Sequence, residues 1–436
     1  MMVLFKKVWK RVSGIGKVAK SSPFLRHNAT FLAGSLAVAA LNYFFYLVLG
    51  RLLSPADFGE VQTLTSLFTQ AAIFLTILTY VTIHVTVNVA DEQERNQTLL
   101  GLERLAMLVG CGLLALALVL VNQLRGFLQF TESWPFVALI AALTLSIPLA
   151  FRMAFLRGQK QFLRASLTDG VGSAAKLLLA PVFVLLGGRS LGAISALAIS
   201  QVLSLIVGTV WARQAGFRGS AFGATRLRFD LLKPHLKHAG AVLLGAGGIT
   251  LMQTLDIISI KHYFSATEAG LYAGITTIAG IVYFLMAPIT GVLITLVSSK
   301  QLTRQNQLRL KGSLALMVAL GGSALLAMTL FPELIIKLLV GSKYLADAHY
   351  LPRIGLAMLL LAVANALMMY HIALKRYAYS LAGIVIFTIM LGLMRANHDT
   401  IGHAINNIVL GSFLLLIVTV IQNFFFNYRK PGEGNV

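Results

Sequence analysis

The sequence has very few of the residues that support disulfide, metal or nucleotide chemistry in proteins. It contains one cysteine, Cys111, in 436 residues, and 12% of its residues are charged, about half the share that is usual in soluble proteins. A lone cysteine excludes an internal disulfide and a cysteine metal site. The nucleotide motif GxxxxGK[ST] and the zinc motif HExxH are also absent. The sequence therefore gives no sign of a haem, nucleotide or metal site.

Acidic residues are scarce as well. There are 15 Asp and Glu against 36 Lys and Arg, which gives a formal net charge of +21. Such a charge can indicate nucleic-acid binding. Here, however, the basic residues lie in short stretches between apolar runs of about 20 residues, which are long enough to cross a bilayer as helices. We therefore expect an all-α polytopic membrane protein that contacts membrane lipids and does not bind nucleic acid.

The apolar runs predict about twelve membrane spans in two sets of six. Residues 27–212 form a predicted N-lobe and residues 238–427 a C-lobe, joined by a linker over 213–237. Residues 1–26 are a basic amphipathic segment, and 428–436 form a short tail. If the loops alternate between sides, about three quarters of the Lys and Arg fall on the side of the two termini. Since positive loops face the cytoplasm, both termini are predicted to be cytoplasmic.

The two halves share a short pattern of residue types. Residues 49–64 turn at Ser54-Pro55 between two apolar runs, and residues 260–275 repeat this arrangement. The ungapped alignment pairs Ser54 with Ser265, Asp57 with Glu268, Gly59 with Gly270 and Asn42 with Gln253. Because each half has an even number of spans, both halves enter the membrane in the same direction. This predicts a pseudo-two-fold axis along the membrane normal, with a cleft between the lobes.

Three motifs carry a family resemblance. They are LGRLLSPADFG at residues 49–59, FLRGQKQF at 155–162, and Asp256 followed by SATEAGLY at 265–272. Together they resemble the polysaccharide repeat-unit flippases of the multidrug/oligosaccharidyl-lipid/polysaccharide exporter superfamily. The resemblance implies a transporter, not an enzyme, which moves an undecaprenyl-pyrophosphate-linked oligosaccharide across the bacterial cytoplasmic membrane by alternating access. It also implies a role in O-antigen, capsule or exopolysaccharide synthesis, with glycosyltransferases and a polysaccharide polymerase as partners.

Buried charges are the first candidates for the site, because a charge at the bilayer centre costs about 2.5–3.5 kcal/mol on insertion scales. Lys176 lies roughly 16 Å into the fifth span, at 1.5 Å per residue. Its ammonium could meet the pyrophosphate of a lipid-linked sugar, or it could form a structural salt bridge between helices or a hydrogen bond to the backbone. Arg152 and Arg157, at the end of the fourth span, could bind the same head group or simply follow the positive-inside rule.

Buried polar residues are the second group of candidates. Asn42 and Gln253 could bind sugar hydroxyls in the cleft, or form hydrogen bonds across the lobe interface. Asp256 and Asp169 are candidates for coupling transport to H⁺ or Na⁺, the alternative being a structural pair with a lysine or a backbone donor. Apart from such a coupling ion, we expect no cofactor.

Two other functions remain open from the sequence. A cation-coupled exporter of drugs or metabolites would share the fold, but it would favour buried carboxylates and aromatic residues over buried cations. A membrane polymerase or sugar transferase would need clustered acids, His or Arg on a sizeable loop. The acids cluster only at Asp91, Glu92, Glu94 and Glu103, which is more typical of a solvated turn. An enzyme is therefore the least favoured interpretation.

Overall fold

The fold, taken from a computed structural model, is described for residues 23–217, 236–297, 304–374, 376 and 378–428. All regular structure within these residues is helical. The α-helices are α1 Pro23–Leu52, α2 Pro55–Asn88, α3 Glu92–Val119, α4 Val121–Phe127, α5 Trp134–Gly158, α6 Phe162–Phe183, α7 Arg189–Gln214, α8 Leu236–Tyr263, α9 Ala266–Leu296, α10 Arg304–Leu330, α11 Pro332–Leu339, α12 Leu351–Ala373, α13 Ala378–Ala396 and α14 Ile401–Tyr428.

These helices confirm a multi-pass membrane protein. Ten described helical runs are long and apolar enough to cross a membrane, and one of them, residues 162–214, contains both α6 and α7. The apolar part of α13, residues 381–396, is shorter. Counting α6 and α7 separately and adding α13 gives twelve crossing helices among the described residues, as the sequence predicts.

The repeated hairpin is confirmed as two helix starts that are capped in the same way. The Ser54 hydroxyl accepts a hydrogen bond from the Asp57 amide at 3.2 Å, and the Ser265 hydroxyl accepts one from the Glu268 amide at 3.3 Å. The second start also forms a complete capping box, because the Ser265 amide donates to the Glu268 carboxylate at 3.0 Å.

Two helices extend beyond their apolar runs. The apolar pattern places the start of the third span near residue 102, but α3 begins at Glu92 because the Asp91 carboxylate caps the Gln93 and Glu94 amides. Likewise α10 begins at Arg304 and not near residue 312. Hydropathy marks only the part of a helix that lies in hydrocarbon, whereas capping and helix propensity set its full length.

The segment between α10 and α12 is also helical. It contains α11 followed by a 3₁₀ helix, Ser342–Tyr350. Most of the predicted N-terminal segment, 1–22, most of the linker, 218–235, and the tail from residue 429 lie outside the described residues.

The six membrane-crossing helices of each half pack in the same pattern. In the N-lobe, formed by α1–α7 with the short α4 among them, α5 packs against α2, α3 and α7, and α6 packs against α1 and α7. In the C-lobe, formed by α8–α14, α12 packs against α9, α10 and α14, and α13 packs against α8 and α14. These pairings correspond one to one under the repeat. The chain is therefore built of two similar helix bundles.

Gly59 and Gly270 mark the axis that relates the lobes. A Cβ atom on Gly59 would lie 2.9 Å from the Gly270 Cα atom, and one on Gly270 would collide with the Pro55 carbonyl. Two-fold symmetry brings a residue against its own equivalent only at the axis. Because the alignment pairs these two glycines, α2 and α9 cross at the pseudo-two-fold axis.

Hydrogen bonds close the two lobes together at one end of the molecule, which we call the sealed end (residues 50–59, 127–130, 262–270 and 338–344). The Lys343 ammonium donates to the carbonyls of Arg51, at 3.0 Å, and Leu53. The Tyr344 hydroxyl donates to the Gly50 carbonyl at 3.1 Å. The Arg51 guanidinium in turn donates to carbonyls at the end of α11. The lobes therefore cannot separate at this end without breaking several hydrogen bonds.

The lobes meet along two helix–helix contacts, which we call seams, and these differ in extent. Helix α2 packs extensively along α8, whereas α1 meets α9 in few places. The repeat makes these two seams equivalent, so their difference is a departure from two-fold symmetry. The α1–α9 seam is consequently the looser wall of the interior.

Candidate functional site

Two adjoining cavities form the candidate site, one between the lobes and one mainly inside the N-lobe. The central cavity, about 200 Å³, has walls from α1 and α2 of the N-lobe and from α8, α9 and α12 of the C-lobe. The N-lobe cavity, about 350 Å³, lies mainly between α1, α2, α6 and α7. Four residues line both cavities: Tyr46, Thr65, Thr69 and Phe284. The two cavities are therefore neighbours that share a wall, and together they make up the candidate site.

Lys176 lies in the wall of the N-lobe cavity, as the sequence analysis expects of a functional cation. It is only 9% exposed. Its ammonium donates to the Asn42 side-chain oxygen at 2.8 Å and lies 4.4 Å from the centre of the Phe45 ring. The Asn42 amide nitrogen donates to the Val38 carbonyl at 3.0 Å, which fixes the orientation of the Asn42 amide. Among the described residues, no carboxylate forms an ion pair with Lys176.

Arg157 and Asp169, which the sequence analysis assigns to head-group binding and to ion coupling, form a salt bridge with each other. Their side chains approach to 3.2 Å, and Asp169 lines the N-lobe cavity. Both are partly exposed, so the pair is weak. Because the pair is neutral as a whole, Lys176 carries the uncompensated charge of this cavity.

Arg152 lies outside both cavities. Its guanidinium is 2.5 Å from the Glu103 carboxylate and 4.7 Å from the centre of the Phe217 ring. It is not among the residues that line the two cavities. Glu103, grouped above with a solvated turn, is buried where α3 packs against α5. We therefore remove Arg152 from the proposed head-group site, because its charge is already satisfied inside the N-lobe.

Asn42 and Gln253 both line the site, but none of the hydrogen bonds described for them crosses between the lobes. Asn42 is bound to Lys176 within the N-lobe. Gln253 is hydrogen-bonded to Tyr283 within the C-lobe, and Tyr283 also accepts a hydrogen bond from Asn365 at 2.9 Å. The repeat-equivalent amides thus have different partners, a cation in one lobe and a phenol in the other.

Other polar residues, which the sequence did not single out, form hydrogen bonds between the two lobes. The Tyr43 hydroxyl donates to the Thr277 carbonyl at 3.0 Å, and Gln62 donates to the Thr277 hydroxyl. Gln70 donates to the Thr254 hydroxyl at 2.9 Å. The polar positions of α2 that line the site, Gln62, Thr65, Ser66 and Thr69, recur every three or four residues. That spacing was the available signal, since it places them on one helix face.

Asp256 lines the central cavity from the C-lobe side and is almost completely buried. Its carboxylate accepts a hydrogen bond from the Tyr272 hydroxyl at 2.7 Å. The structural alternative predicted from the sequence was a lysine or a backbone donor. Backbone amides of Asp256 and Ile257 do donate to the carboxylate, and Tyr272 of the second-half motif is the side-chain donor. Among the described residues, no three His, Cys, Asp or Glu side chains are placed to hold a metal ion.

A family model for polysaccharide biosynthesis proteins matches residues 25–301, which is more than half of the chain. The chain belongs to this family. No curated protein matches its sequence significantly.

Solved structures that resemble this family member are transporters of the MOP superfamily. An inward-facing multidrug-resistance MATE transporter aligns with a TM-score of 0.72 and 14% identity, covering 90% of this chain and 94% of that one. The lipid II flippase MurJ aligns with a TM-score of 0.71 and 11% identity, covering 90% and 87%. A MOP transporter from Pyrococcus furiosus aligns with a TM-score of 0.61, 16% identity, and coverage of 92% and 95%. Identities this low establish only the fold. The family match and the fold together confirm the resemblance seen in the sequence, and the ten apolar helical runs among the described residues show a multi-pass membrane protein.

Proposed function

We propose that this polysaccharide biosynthesis protein is a flippase for an undecaprenyl-pyrophosphate-linked oligosaccharide. The observation that supports the proposal most strongly is Lys176, a buried cation with no described carboxylate partner in the N-lobe cavity, which adjoins the central cavity between the lobes. A buried charge needs a partner. The phosphate oxygens of a lipid-linked sugar provide one.

The rest of the site suits the other parts of this substrate. Lys176 binds the phosphate, and Asn42 positions the ammonium. The central cavity presents amides and hydroxyls, among them Gln62, Thr276 and Gln253, which can bind sugar hydroxyls. The isoprenoid tail stays in the bilayer and passes through the loose α1–α9 seam, where the rings of Tyr43 and Phe284 lie 6.0 Å apart and Phe284 is 56% exposed. No bond of the substrate is made or broken.

The orientation follows from the charge distribution. The loop assignment predicted from the sequence puts about three quarters of the Lys and Arg on the side of the two termini, and we assign this side to the bacterial cytoplasm. The sealed end then faces outward, and the cavities are reached from inside, where glycosyltransferases assemble the substrate. Rocking of the lobes would break the sealed-end contacts and present the sugar to a polymerase outside.

The decisive test removes the charge of Lys176 while keeping its length. We expect Lys176→Met to abolish surface polysaccharide at normal protein levels, because a hydrogen bond to a charged group contributes about 1.5–3 kcal/mol, which corresponds to roughly a tenfold to hundredfold loss of affinity. Asn42→Asp should act similarly, because a carboxylate beside the ammonium replaces the anion of the substrate. Lys176→Arg should keep partial activity.

The matched control is Lys337→Met, which removes an exposed lysine on α11. It should leave polysaccharide levels unchanged. Normal polysaccharide in cells whose only copy is Lys176→Met would refute the proposed role of this cation.

Export of cationic drugs is the second candidate, and one observation favours it. The central cavity combines the Asp256 carboxylate with the aromatic rings of Tyr43, Tyr46 and Tyr283, a combination that suits organic cations. If this is the function, deleting the gene will raise drug sensitivity and leave surface polysaccharide intact. The flippase proposal requires the opposite result.

A further inference from the structure

A third cavity, of about 780 Å³, lies at the sealed end and outside the proposed transport site. Its walls are the last turns of α8 and α13, together with Phe127 at the end of α4. One part is polar, with His262, Arg395 and His398, and the other part is apolar. We call it the rim groove.

Both histidines of the rim groove are held rigidly. The His262 ring stacks on Phe127 at 3.9 Å, and its Nδ1 lies 2.7 Å from the Phe127 carbonyl oxygen. The His398 ring stacks on Tyr263 at 3.9 Å, and its Nδ1 lies 3.1 Å from the carbonyl oxygens of Met394 and Arg395. Carbonyl oxygens only accept hydrogen bonds, so Nδ1 carries the proton in each ring. This tautomer leaves Nε2 of each ring as the acceptor, and the exposed cation of Arg395 lines the same cavity.

The apolar part of the groove continues along the same helices toward the middle of the membrane. Leu255, Ile258 and Leu391 line it. At Gly392 a Cβ atom would meet nothing within 4 Å, so this position leaves the groove open. Helices α8 and α13 end at Tyr263 and Ala396, which places the polar residues at the membrane surface and the apolar residues one or two turns deeper.

We propose that the rim groove binds one anionic phospholipid whose head group carries hydroxyls, as in phosphatidylglycerol. Arg395 donates to the lipid phosphate, and the Nε2 atoms of His262 and His398 accept hydrogen bonds from the glycerol hydroxyls. An acyl chain lies along Leu255, Ile258 and Leu391. Phosphatidylcholine fits less well, because its head group has no hydrogen-bond donor for the histidines and its cation opposes Arg395.

The bound lipid would also stabilise the sealed end. Phe127 belongs to the N-lobe, whereas the rest of the groove belongs to the C-lobe. Gln129 of the N-lobe donates to the His262 carbonyl at 2.8 Å, beside the groove. The groove is complete only while the lobes are closed here. A ligand that binds only one of two conformations shifts the population toward it.

Lipid titrations of the purified full chain in detergent test the proposal by native mass spectrometry and thermal unfolding. Phosphatidylglycerol should bind and raise the unfolding temperature more than phosphatidylcholine does. Arg395→Gln should weaken phosphatidylglycerol binding about fivefold, since a basic residue near anionic lipid contributes about 1 kcal/mol. Gly392→Leu should weaken it as well, by filling the groove.

Two controls match these changes. Lys337→Gln removes an exposed lysine near the same membrane surface, outside the rim groove. Gly322→Leu adds the same side chain at a position on α10 where a Cβ atom also meets nothing within 4 Å. Both controls should bind phosphatidylglycerol like the wild type.

Three results would overturn the proposal. The first is equal binding of phosphatidylglycerol and phosphatidylcholine. The second is wild-type phosphatidylglycerol affinity in either folded groove variant. The third is an equal effect of inorganic phosphate or glycerol phosphate, which would make the groove a site for soluble anions. Because the charge variant and the steric variant act on different parts of the groove, misfolding of one leaves the other to decide.

Discussion

At the scale of single residues, Lys176 gains its role from the atoms around it. The amide of Asn42 is fixed by its own helix and holds the ammonium toward the cavity without neutralising it. A carboxylate in that place would have made a closed ion pair, as Glu103 does with Arg152. The neutral partner is what keeps a positive charge available to a ligand.

The prediction at the residue scale concerns Asp256. We propose that it couples transport to H⁺ or Na⁺, because it is a buried carboxylate in the wall of the central cavity. Asp256→Asn removes the charge at nearly constant volume. Substrate flipping in proteoliposomes should then lose its stimulation by an imposed H⁺ or Na⁺ gradient, while flipping without a gradient persists.

Asp399→Asn, at a largely exposed carboxylate, is the control and should respond to the gradient as the wild type does. Gradient stimulation that survives in Asp256→Asn would refute the coupling role.

The sequence located several of these residues because a charge or amide in an apolar run is conspicuous. Lys176, Asn42, Gln253 and Asp256 were found in this way, and all line the site. It could not reveal their partners. Glu103 is distant in sequence from Arg152, and only the packing of α3 on α5 brings them together. Whether a buried charge is available therefore depends on tertiary contacts that no local pattern encodes.

At the scale of helices, the crossing of α2 and α9 depends on two glycines. Gly270→Ala would drive a methyl group into the Pro55 carbonyl. Overpacking of this kind costs about 1–3 kcal/mol. Because the clash exists only while the lobes are closed, we expect this variant to favour opening at the sealed end, detected as faster hydrogen exchange of the first turns of α2 and α9.

Gly280→Ala is the control in the same helix, since its Cβ atom would lie 3.8 Å from the nearest atom. It should exchange like the wild type. Unchanged exchange in a folded Gly270→Ala protein would show that the crossing does not hold the sealed end closed.

At the scale of the whole molecule, the two cavities should be open to the cytoplasm and closed to the outside. The chain has one natural cysteine, so Cys111→Ser provides a background without cysteines. In that background, Ser173→Cys and Thr276→Cys, both in cavity walls, should react with a membrane-impermeant thiol reagent in inverted vesicles and be protected in intact spheroplasts.

Exposed positions on the two sides calibrate the assay. Glu132→Cys should react only from the outside and Gln93→Cys only from the inside. Reaction of both cavity positions from the outside alone would reverse the proposed orientation of the cavities.

The two-lobed plan could be predicted from the sequence because the hairpin motif recurs in register. The unequal seams could not, since a repeat by itself predicts that α2–α8 and α1–α9 are alike. Their difference arises from side chains that the repeat does not share. The loose seam and the off-centre cavity with Lys176 are therefore properties of the whole assembly and not of either half.

The meeting of Gly59 with Gly270 has a consequence for the origin of the chain. If both lobes descend from one six-helix protomer, a single glycine once supplied both sides of this contact in a symmetric dimer. Duplication and fusion of the gene would have freed each copy to diverge. Lys176 on one side and the wall with Asp256 and several hydroxyls on the other are differences that an ancestral homodimer could never have encoded.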